Sequence, residues 1–162
     1  MNDKLISIVK LQPKDWRLIR EIRLEALTQE PQAFNSTFEE VSSYPESYWE
    51  EKMVSKKDIF AFAMCRNRII GVMNLTIGED GEAEDVAVVH GAYVTKDFRG
   101  LGIGKVLLNF LIDEVTNNNK IKTLKLWVKE SQLLARKLYE GVGFKFTQRA
   151  GEHTLVMEKR FY

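Results

Sequence analysis

The sequence predicts a mixed fold, α/β or α+β, built as a single domain over residues 1–162. Two observations predict it. Short turns join neighbouring strand-like runs, which favours antiparallel pairing, whereas a strand–helix–strand crossover over residues 84–128 requires parallel pairing. A chain of 162 residues can also bury a substantial core in one domain. We therefore expect a mostly antiparallel central sheet of about six to seven strands with about four helices.

The first half of the chain begins with an alternating strand in "LISIVKL", residues 5–11. Helical spacing follows at Leu18, Ile19, Ile22, Ala26 and Leu27. Residues 30–57 are predicted to be irregular or helical and are rich in aromatic side chains. Strands at 58–65 and 69–77 then form a hairpin around a tight turn at 66–68.

In the second half of the chain, the pattern predicts a strand at 84–94, a helix and a strand at 123–129. A second helix and a hairpin of residues 144–148 and 153–159 follow. One face of the first of these helices carries Ile103, Val106, Leu107, Phe110, Leu111 and Val115. Ser131 can cap the second helix, and Gly141 and Gly143 can end it.

Charge and cysteine content exclude several classes of function. The 24 basic and 23 acidic residues nearly cancel, which gives no support to nucleic acid or an anionic membrane as the partner. Cys65 is the single cysteine, so no intrachain disulfide can form, and its apolar surroundings predict a buried, inert thiol. No run approaches the roughly 18 apolar residues of a membrane span, and a cytoplasmic location is expected.

The stretch "RGLGIG", residues 99–104, places three glycines just before a predicted helix. It is one residue short of the dinucleotide pattern G-x-G-x-x-G, and Val106 stands where a P-loop needs Ser or Thr. Bare backbone N–H groups at a helix start can bind a phosphate without a metal, and Arg99 can add charge. A tight turn that binds no ligand is the alternative.

At these residues the sequence resembles the GNAT superfamily of N-acetyltransferases, whose acetyl-CoA signature [R/Q]-x-x-G-x-[G/A] is matched by Arg99, Gly102 and Gly104. A second family pattern, V-x-x-x-N-x-x-A-x-x-L-Y-x-x-x-G-F, is matched by Val128, Ala135, Leu138, Tyr139, Gly143 and Phe144. Gln132 replaces the usual asparagine of that pattern. The resemblance implies a GNAT-like sheet that is splayed between the strands at 84–94 and 122–129.

The resemblance implies transfer of an acetyl group from acetyl-CoA, with no metal, to a primary amine of a small molecule or peptide by direct attack in a ternary complex. The pyrophosphate is then expected at the turn formed by Arg99, Gly100, Leu101, Gly102, Ile103, Gly104 and Lys105. Pantetheine is expected along the main chain of Ala92, Tyr93 and Val94, where the Val94 N–H would polarise the thioester. Gln132 is expected to contact a backbone or donor group.

Two side chains are candidates for proton transfer. Tyr139 occupies the position of the family's general acid, and a packing tyrosine is the alternative. Some relatives carry a glutamate that acts as the catalytic base at the position of Val88 in this chain. His90 lies two residues further along, on the same face of the strand. Some arylalkylamine acetyltransferases similarly carry histidine at this offset. A neutral imidazole could take the proton of the amine, and a structural strand histidine is the alternative.

The sequence does not identify the amine that accepts the acetyl group. Arg23, Ala26, Leu27, Pro31, Ala33 and Phe34 resemble a subgroup pattern, R-x-x-A-L…P-x-A-F, whose members have varied acceptors. The aromatics of residues 34–49 could line an acceptor pocket or belong to the core. A non-catalytic acyl-CoA-binding sensor or interaction module is the second functional hypothesis, and a dinucleotide-binding protein is the third. A homodimer is compatible with the resemblance, since many relatives dimerise.

Overall fold

Seven strands and five α-helices make up the part of the chain that the structure describes. A computed structural model describes residues 5–117 and 120–162, apart from the Asp80 side chain, so residues 1–4, 118 and 119 of the predicted domain lie outside it. The strands are β1 Ile6–Val9, β2 Asp58–Cys65, β3 Arg68–Ile77, β4 Val86–Val94, β5 Thr123–Lys129, β6 Lys145–Arg149 and β7 Thr154–Arg160. The helices are α1 Trp16–Gln29, α2 Phe38–Ser42, α3 Glu46–Val54, α4 Ile103–Thr116 and α5 Leu133–Gly141.

All seven strands form one sheet in the order β1-β2-β3-β4-β5-β7-β6. Only β4 and β5 pair in parallel among these strands, because α4 crosses over between them. The other neighbours pair antiparallel, and three of those pairs are hairpins. This arrangement confirms the predicted mixed, mostly antiparallel sheet.

The parallel pair β4–β5 opens after three residues. Val86, Ala87 and Val88 pair with residues 123–125, but β4 continues to Val94 while β5 stays paired with β7. The predicted splay is therefore confirmed. From residue 89 onward, the edge of β4 that faces β5 is open.

A β-bulge interrupts β4 beside this open edge. Gly91 and Ala92 together stand opposite the single Met73, because Val72 pairs with Tyr93 while Asn74 pairs with His90. Gly91 has a φ of 66°. The extra residue shifts the alternation, so His90 and Tyr93 lie on the same face of the sheet although they are three residues apart.

Each face of the sheet is covered by helices. α4 and α5 pack on one face over a core that includes Leu107, Leu111 and Leu126. α1, α2 and α3 pack on the other, around Ile22, Phe62 and Trp49. Within the described residues, no helix is long and apolar enough to span a membrane.

Three details differ from the sequence predictions. Val106 of α4 is 51% exposed whereas Leu108 is fully buried, because the sheet contacts the stripe at 103, 107, 108, 111 and 115. Gln132, not Ser131, occupies the N-cap position of α5, and no side-chain cap forms there. The β2–β3 turn also consists of residues 66 and 67 alone, since Arg68 already pairs with Cys65.

Candidate functional site

The glycine turn ends in a helix N-terminus whose N–H groups have no helical partners. Gly102 is the N-cap of α4 with a left-handed φ of 80°, and it has no side chain to cap the helix. The first helical bond of α4 runs from Val106 N–H to the Gly102 carbonyl at 3.1 Å. The N–H groups of Ile103, Gly104 and Lys105 therefore precede the helical ladder and can bind an anion.

The three glycines of the turn have different roles. Gly100 and Gly102 have φ values of 76° and 80°, and no described atom lies within 4 Å of a Cβ built on either of them. Their backbone conformation needs glycine, and the space above them is open. A Cβ on Gly104 would instead lie 3.1 Å from Cδ2 of Leu138. Gly104 thus lets α5 pack closely against the first turn of α4.

The Arg99 side chain bonds to neighbouring parts of the protein and so stabilises the turn. Its Nε donates to the Val94 carbonyl at 2.9 Å, and its Nη1 lies 3.1 Å from a carboxylate oxygen of Glu30. These bonds tie the glycine turn to the end of β4 and to the end of α1. Phosphate binding then falls mainly to the main chain of the turn. Of the other predicted turn residues, Leu101 and Lys105 have exposed side chains, and the Ile103 side chain is buried in the core.

The predicted pantetheine strand lies along the open edge. Thr95 N–H donates to the Ile70 carbonyl at 2.8 Å, on the β3 side of β4. Because successive N–H groups of a strand point to opposite edges, the Val94 N–H points to the edge that β5 has left. Ala92 and Val94 pack toward α4. Tyr93 faces α1 instead, where its hydroxyl donates to Glu25 at 3.0 Å.

Tyr139 belongs to α5, and its side chain lies in the core between the helices and the sheet. Its ring packs 5.9 Å from that of Phe144, and burial raises the pKa of its hydroxyl to about 12. The hydroxyl bonds to none of the described residues, and it is not among the fully enclosed polar atoms. Tyr139 is protonated at neutral pH, as an ordinary tyrosine is, and the raised pKa makes it a weaker proton donor than an exposed phenol. Gln132 at the start of the same helix is half-buried.

His90 sits in a polar cluster that the sequence analysis did not predict. Its Nε2 lies 2.9 Å from Thr76 Oγ1, 3.3 Å from Asn74 Nδ2 and 3.4 Å from a Glu79 carboxylate oxygen. Asn74 and Thr76 are polar residues at alternate positions of an otherwise apolar strand. That alternation was the available signal, because both side chains must then share one face of the sheet.

The hydrogen bonds of this cluster assign the proton on His90. Thr76 donates its single hydroxyl hydrogen to Asp58 Oδ1 at 2.6 Å, so its oxygen must accept from His90 Nε2. Asp58 is nearly buried and pairs with Lys52 at 3.6 Å. With the Thr76 bonds in this direction, the neutral imidazole carries its hydrogen on Nε2 and its basic lone pair on Nδ1, and the 3.3 Å approach of Asn74 Nδ2 to Nε2 is a donor–donor contact and not a hydrogen bond.

The two candidate catalytic side chains lie on opposite faces of the sheet. Tyr139 belongs to the core beneath α4, with Ala87 and Val89 of β4. His90 lies on the other face, with Thr76 and Asp58. The open main chain of β4 lies between these faces. No group of three or more His, Cys, Asp or Glu side chains in the described ranges is arranged to hold a metal.

The aromatic side chains of residues 34–49 divide between core and surface. Trp49 is buried, with Phe34, Tyr44 and Tyr48 packed against the same core. Phe34 and Phe38 line an open groove of about 330 Å³ at the C-terminal end of α1. Arg23 stacks over the ring of Phe34 at 4.7 Å. The region around Phe34 thus combines aromatic rings with one half-buried cation.

Comparison with known proteins agrees with this geometry. The model of the acetyltransferase (GNAT) family matches residues 17–144. An uncharacterized N-acetyltransferase of Methanocaldococcus jannaschii is 29% identical over 101 residues, which cover 60% of this chain and 44% of that relative. The chain thus matches less than half of that relative's length.

Solved structures share the fold. A GNAT-family acetyltransferase of Streptococcus pneumoniae has a TM-score of 0.77 at 20% identity and covers 97% of this chain and all of that one. The PaiA N-acetyltransferase of Thermoplasma acidophilum, in complex with coenzyme A, has a TM-score of 0.76 at 22% identity over 97% of this chain and 99% of that one. Family match, fold and glycine turn agree, and the chain belongs to the acetyltransferase (GNAT) family.

Proposed function

We propose that this protein is an acetyl-CoA-dependent N-acetyltransferase that acetylates a primary amine of a small molecule or peptide by direct attack in a ternary complex. The observation that carries the proposal is the open edge of β4, which leads directly into the glycine turn before α4. An extended chain can pair with such an edge, and a pyrophosphate can bind the N–H groups that follow it.

The donor fits the residues present. The space above Gly100 and Gly102 is open where a Cβ would otherwise stand, so a phosphate can approach the backbone there. The Val94 N–H points to the open edge, and in this proposal it donates to the thioester oxygen. Acetyl-CoA bound in this way supplies an activated acyl carbon between the His90 face and the Tyr139 face of β4.

His90 is the base in this proposal. A protonated amine cannot attack, so one proton must leave it before or during attack. The lone pair on Nδ1 can take that proton, directly or through a water molecule, while Nε2 remains bonded to Thr76. The resulting imidazolium is stabilised by the carboxylates of Glu79 and Asp58, the second acting through Thr76.

Tyr139 is the acid. The amine nitrogen forms a bond to the acyl carbon, the carbon–sulfur bond breaks, and the sulfur takes the phenolic proton. The imidazolium then returns its proton to solvent, and Tyr139 is reprotonated. A phenol with a pKa near 12 remains protonated until the sulfur develops charge.

The test is the release of CoA thiol from acetyl-CoA with a panel of primary amines, and mass spectrometry of the acetylated product. We expect amine-dependent thiol release by the wild-type protein. Tight binding of acetyl-CoA without thiol release for any amine would indicate the sensor or interaction module instead. The cytoplasmic location and the homodimer stay predictions, which cell fractionation and light scattering check.

A further inference from the structure

Arg23 is a half-buried cation of α1, on the face of the sheet that carries His90. No carboxylate of the described residues lies within 4 Å of its guanidinium. The same is true of Arg17, Arg20, Arg66 and Arg136, whereas the other four arginines form ion pairs. Its contacts are aromatic, with Phe34 stacked at 4.7 Å. Burial lowers the pKa of Arg23, and the nearby Tyr48 and Tyr44 oppose that effect. A desolvated guanidinium without a counter-ion favours an anion.

The guanidinium lies close to Gly91, the residue that follows the candidate base. Nη1 of Arg23 is 3.6 Å from the position that a Cβ would take on Gly91, the residue after His90. Asn74 Oδ1 lies 2.5 Å from the same position, and Asn74 Nδ2 lies 3.3 Å from His90 Nε2. The β-bulge at Gly91 therefore lies between Arg23 and the cluster around His90.

Negative and positive side chains lie on different sides of the β-bulge. Glu79 and Asp58 stand on the His90 side, where the amine must lose its proton, and Arg23 stands on the other side of Asn74. A molecule with a cationic amine at one end and an anion at the other matches this division. One guanidinium near two carboxylates favours a singly charged anion over a phosphate dianion. Its planar fork also matches a carboxylate.

We propose that the acceptor is an amine that also carries a carboxylate, such as an amino acid or a short peptide, and that Arg23 binds this carboxylate. The inference rests on the proposed acetyltransferase function, and it adds the class of acceptor. Arg23 acts here in acceptor binding, so its loss raises the KM of the acceptor and leaves the binding of acetyl-CoA unchanged.

The test compares acceptors that differ only in the carboxylate, namely dipeptides with a free or an amidated C-terminus, and β-alanine against its amide. We expect Arg23→Met to raise KM about tenfold or more for the free acids, because a charge-assisted bond is lost, and to change KM less than about twofold for the amides. KM for acetyl-CoA stays at the wild-type value. Arg23→Lys should keep part of the preference for free acids over amides, since the positive charge remains but the two parallel N–H donors of the guanidinium are lost.

Arg17→Met is the matched control. Arg17 lies on the same helix and stacks over Trp16 at 4.7 Å, the same separation as Arg23 over Phe34, but its side chain is exposed. This variant should leave KM unchanged for both the free acids and the amides. An equal loss for acids and amides in Arg23→Met would overturn the proposal and assign Arg23 to packing. A wild-type protein that prefers the amides would also overturn it.

A binding measurement separates this proposal from the proposed function. Calorimetric titration of the CoA-loaded protein with N-acetyl-alanyl-phenylalanine and its amide needs no turnover. Stronger binding of the acid by the wild type, lost in Arg23→Met, supports the carboxylate site even if no amine is acetylated. Equal binding of acid and amide by the wild type excludes the carboxylate site even if acetylation is observed. Thermal unfolding verifies that each variant is folded.

Discussion

Thr76 Oγ1 lies 2.9 Å from Nε2 of His90 and donates its own hydrogen to Asp58 Oδ1 at 2.6 Å. The register of the sheet produces this chain of bonds, because Asp58 stands opposite Thr76 and Asn74 stands opposite His90. Three strands thus fix the orientation of one imidazole. If His90 is the base, Thr76 holds its basic nitrogen in position without contacting the substrate.

Thr76→Val removes that bond while keeping the shape of the side chain. We expect kcat to fall about fivefold, since one neutral hydrogen bond contributes about 1 kcal/mol. KM for acetyl-CoA should not change. Thr76→Ser restores the hydroxyl and should restore kcat, which a purely structural role of the threonine methyl group would not allow. Steady-state kinetics of the two variants provide the measurement.

His90→Gln tests the base itself. We expect kcat/KM for the amine to fall about tenfold or more at neutral pH, in the range of general-base contributions. The acid limb of the wild-type pH–rate profile, where an imidazole base becomes protonated, should disappear. Raising the pH should then recover activity, because the amine loses its proton to solvent. A variant with the wild-type profile would return His90 to a structural role.

Tyr139→Phe tests the acid. Turnover should fall at least about tenfold, because the leaving sulfur loses its proton donor. Affinity for acetyl-CoA should change little, since the hydroxyl bonds to no described residue. Equilibrium binding and steady-state kinetics together separate the two effects. Unchanged turnover with a good acceptor would remove Tyr139 from the mechanism.

Gly102→Ala tests the phosphate cradle against a matched control. Both Gly102 and Gly151 have left-handed φ values, 80° and 90°, and no described atom lies within 4 Å of a Cβ on either. Alanine should therefore cost each site about 1–2 kcal/mol of unfolding free energy through backbone strain. Only Gly102→Ala should weaken acetyl-CoA binding. Equal affinities of the two variants would contradict the cradle.

Stability at alkaline pH follows from the buried tyrosine. Burial raises the pKa of Tyr139 to about 12, compared with about 10 in the unfolded chain. Between these values the unfolded state releases a proton that the folded state keeps, so the unfolding free energy falls as the pH rises from 10 to 12. Below pH 10 both states are protonated, and this contribution to stability does not vary with pH.

Tyr139→Phe should make that fall less steep, as measured by denaturant titration at several pH values from 9 upward. Tyr162→Phe is the control, because Tyr162 is fully exposed at the end of the chain. Parallel curves for the wild type and Tyr139→Phe would show that the phenol ionises as readily in the folded protein as in the unfolded chain.

The strands and the main helices could be predicted because their side-chain periods are local. β2 and β5 occupy the predicted residues, and α1 and α4 contain the residues that were predicted from their helical spacing. The face of α4 was less predictable. Leu108 and Val106 are both apolar, and only the position of the sheet decides that Leu108 is buried.

The residues of the candidate acetyl-CoA site could also be proposed from the sequence, because the glycines and the strand before them are adjacent in the chain. The roles of individual glycines could not. Gly102 needs its left-handed backbone, whereas Gly104 makes room for Leu138 of α5, a residue more than thirty positions later in the chain.

The sequence by itself thus determined the order of the elements, the glycine turn at the start of α4, and the residue types near it. Only the tertiary structure decided which distant side chains meet. Asp58, Thr76 and His90 lie on three strands that become neighbours through pairing, and Arg23 reaches Gly91 because α1 packs across β4. Local periodicity fixes which way a side chain faces, but its partner depends on strand register and helix packing, which the whole chain sets together.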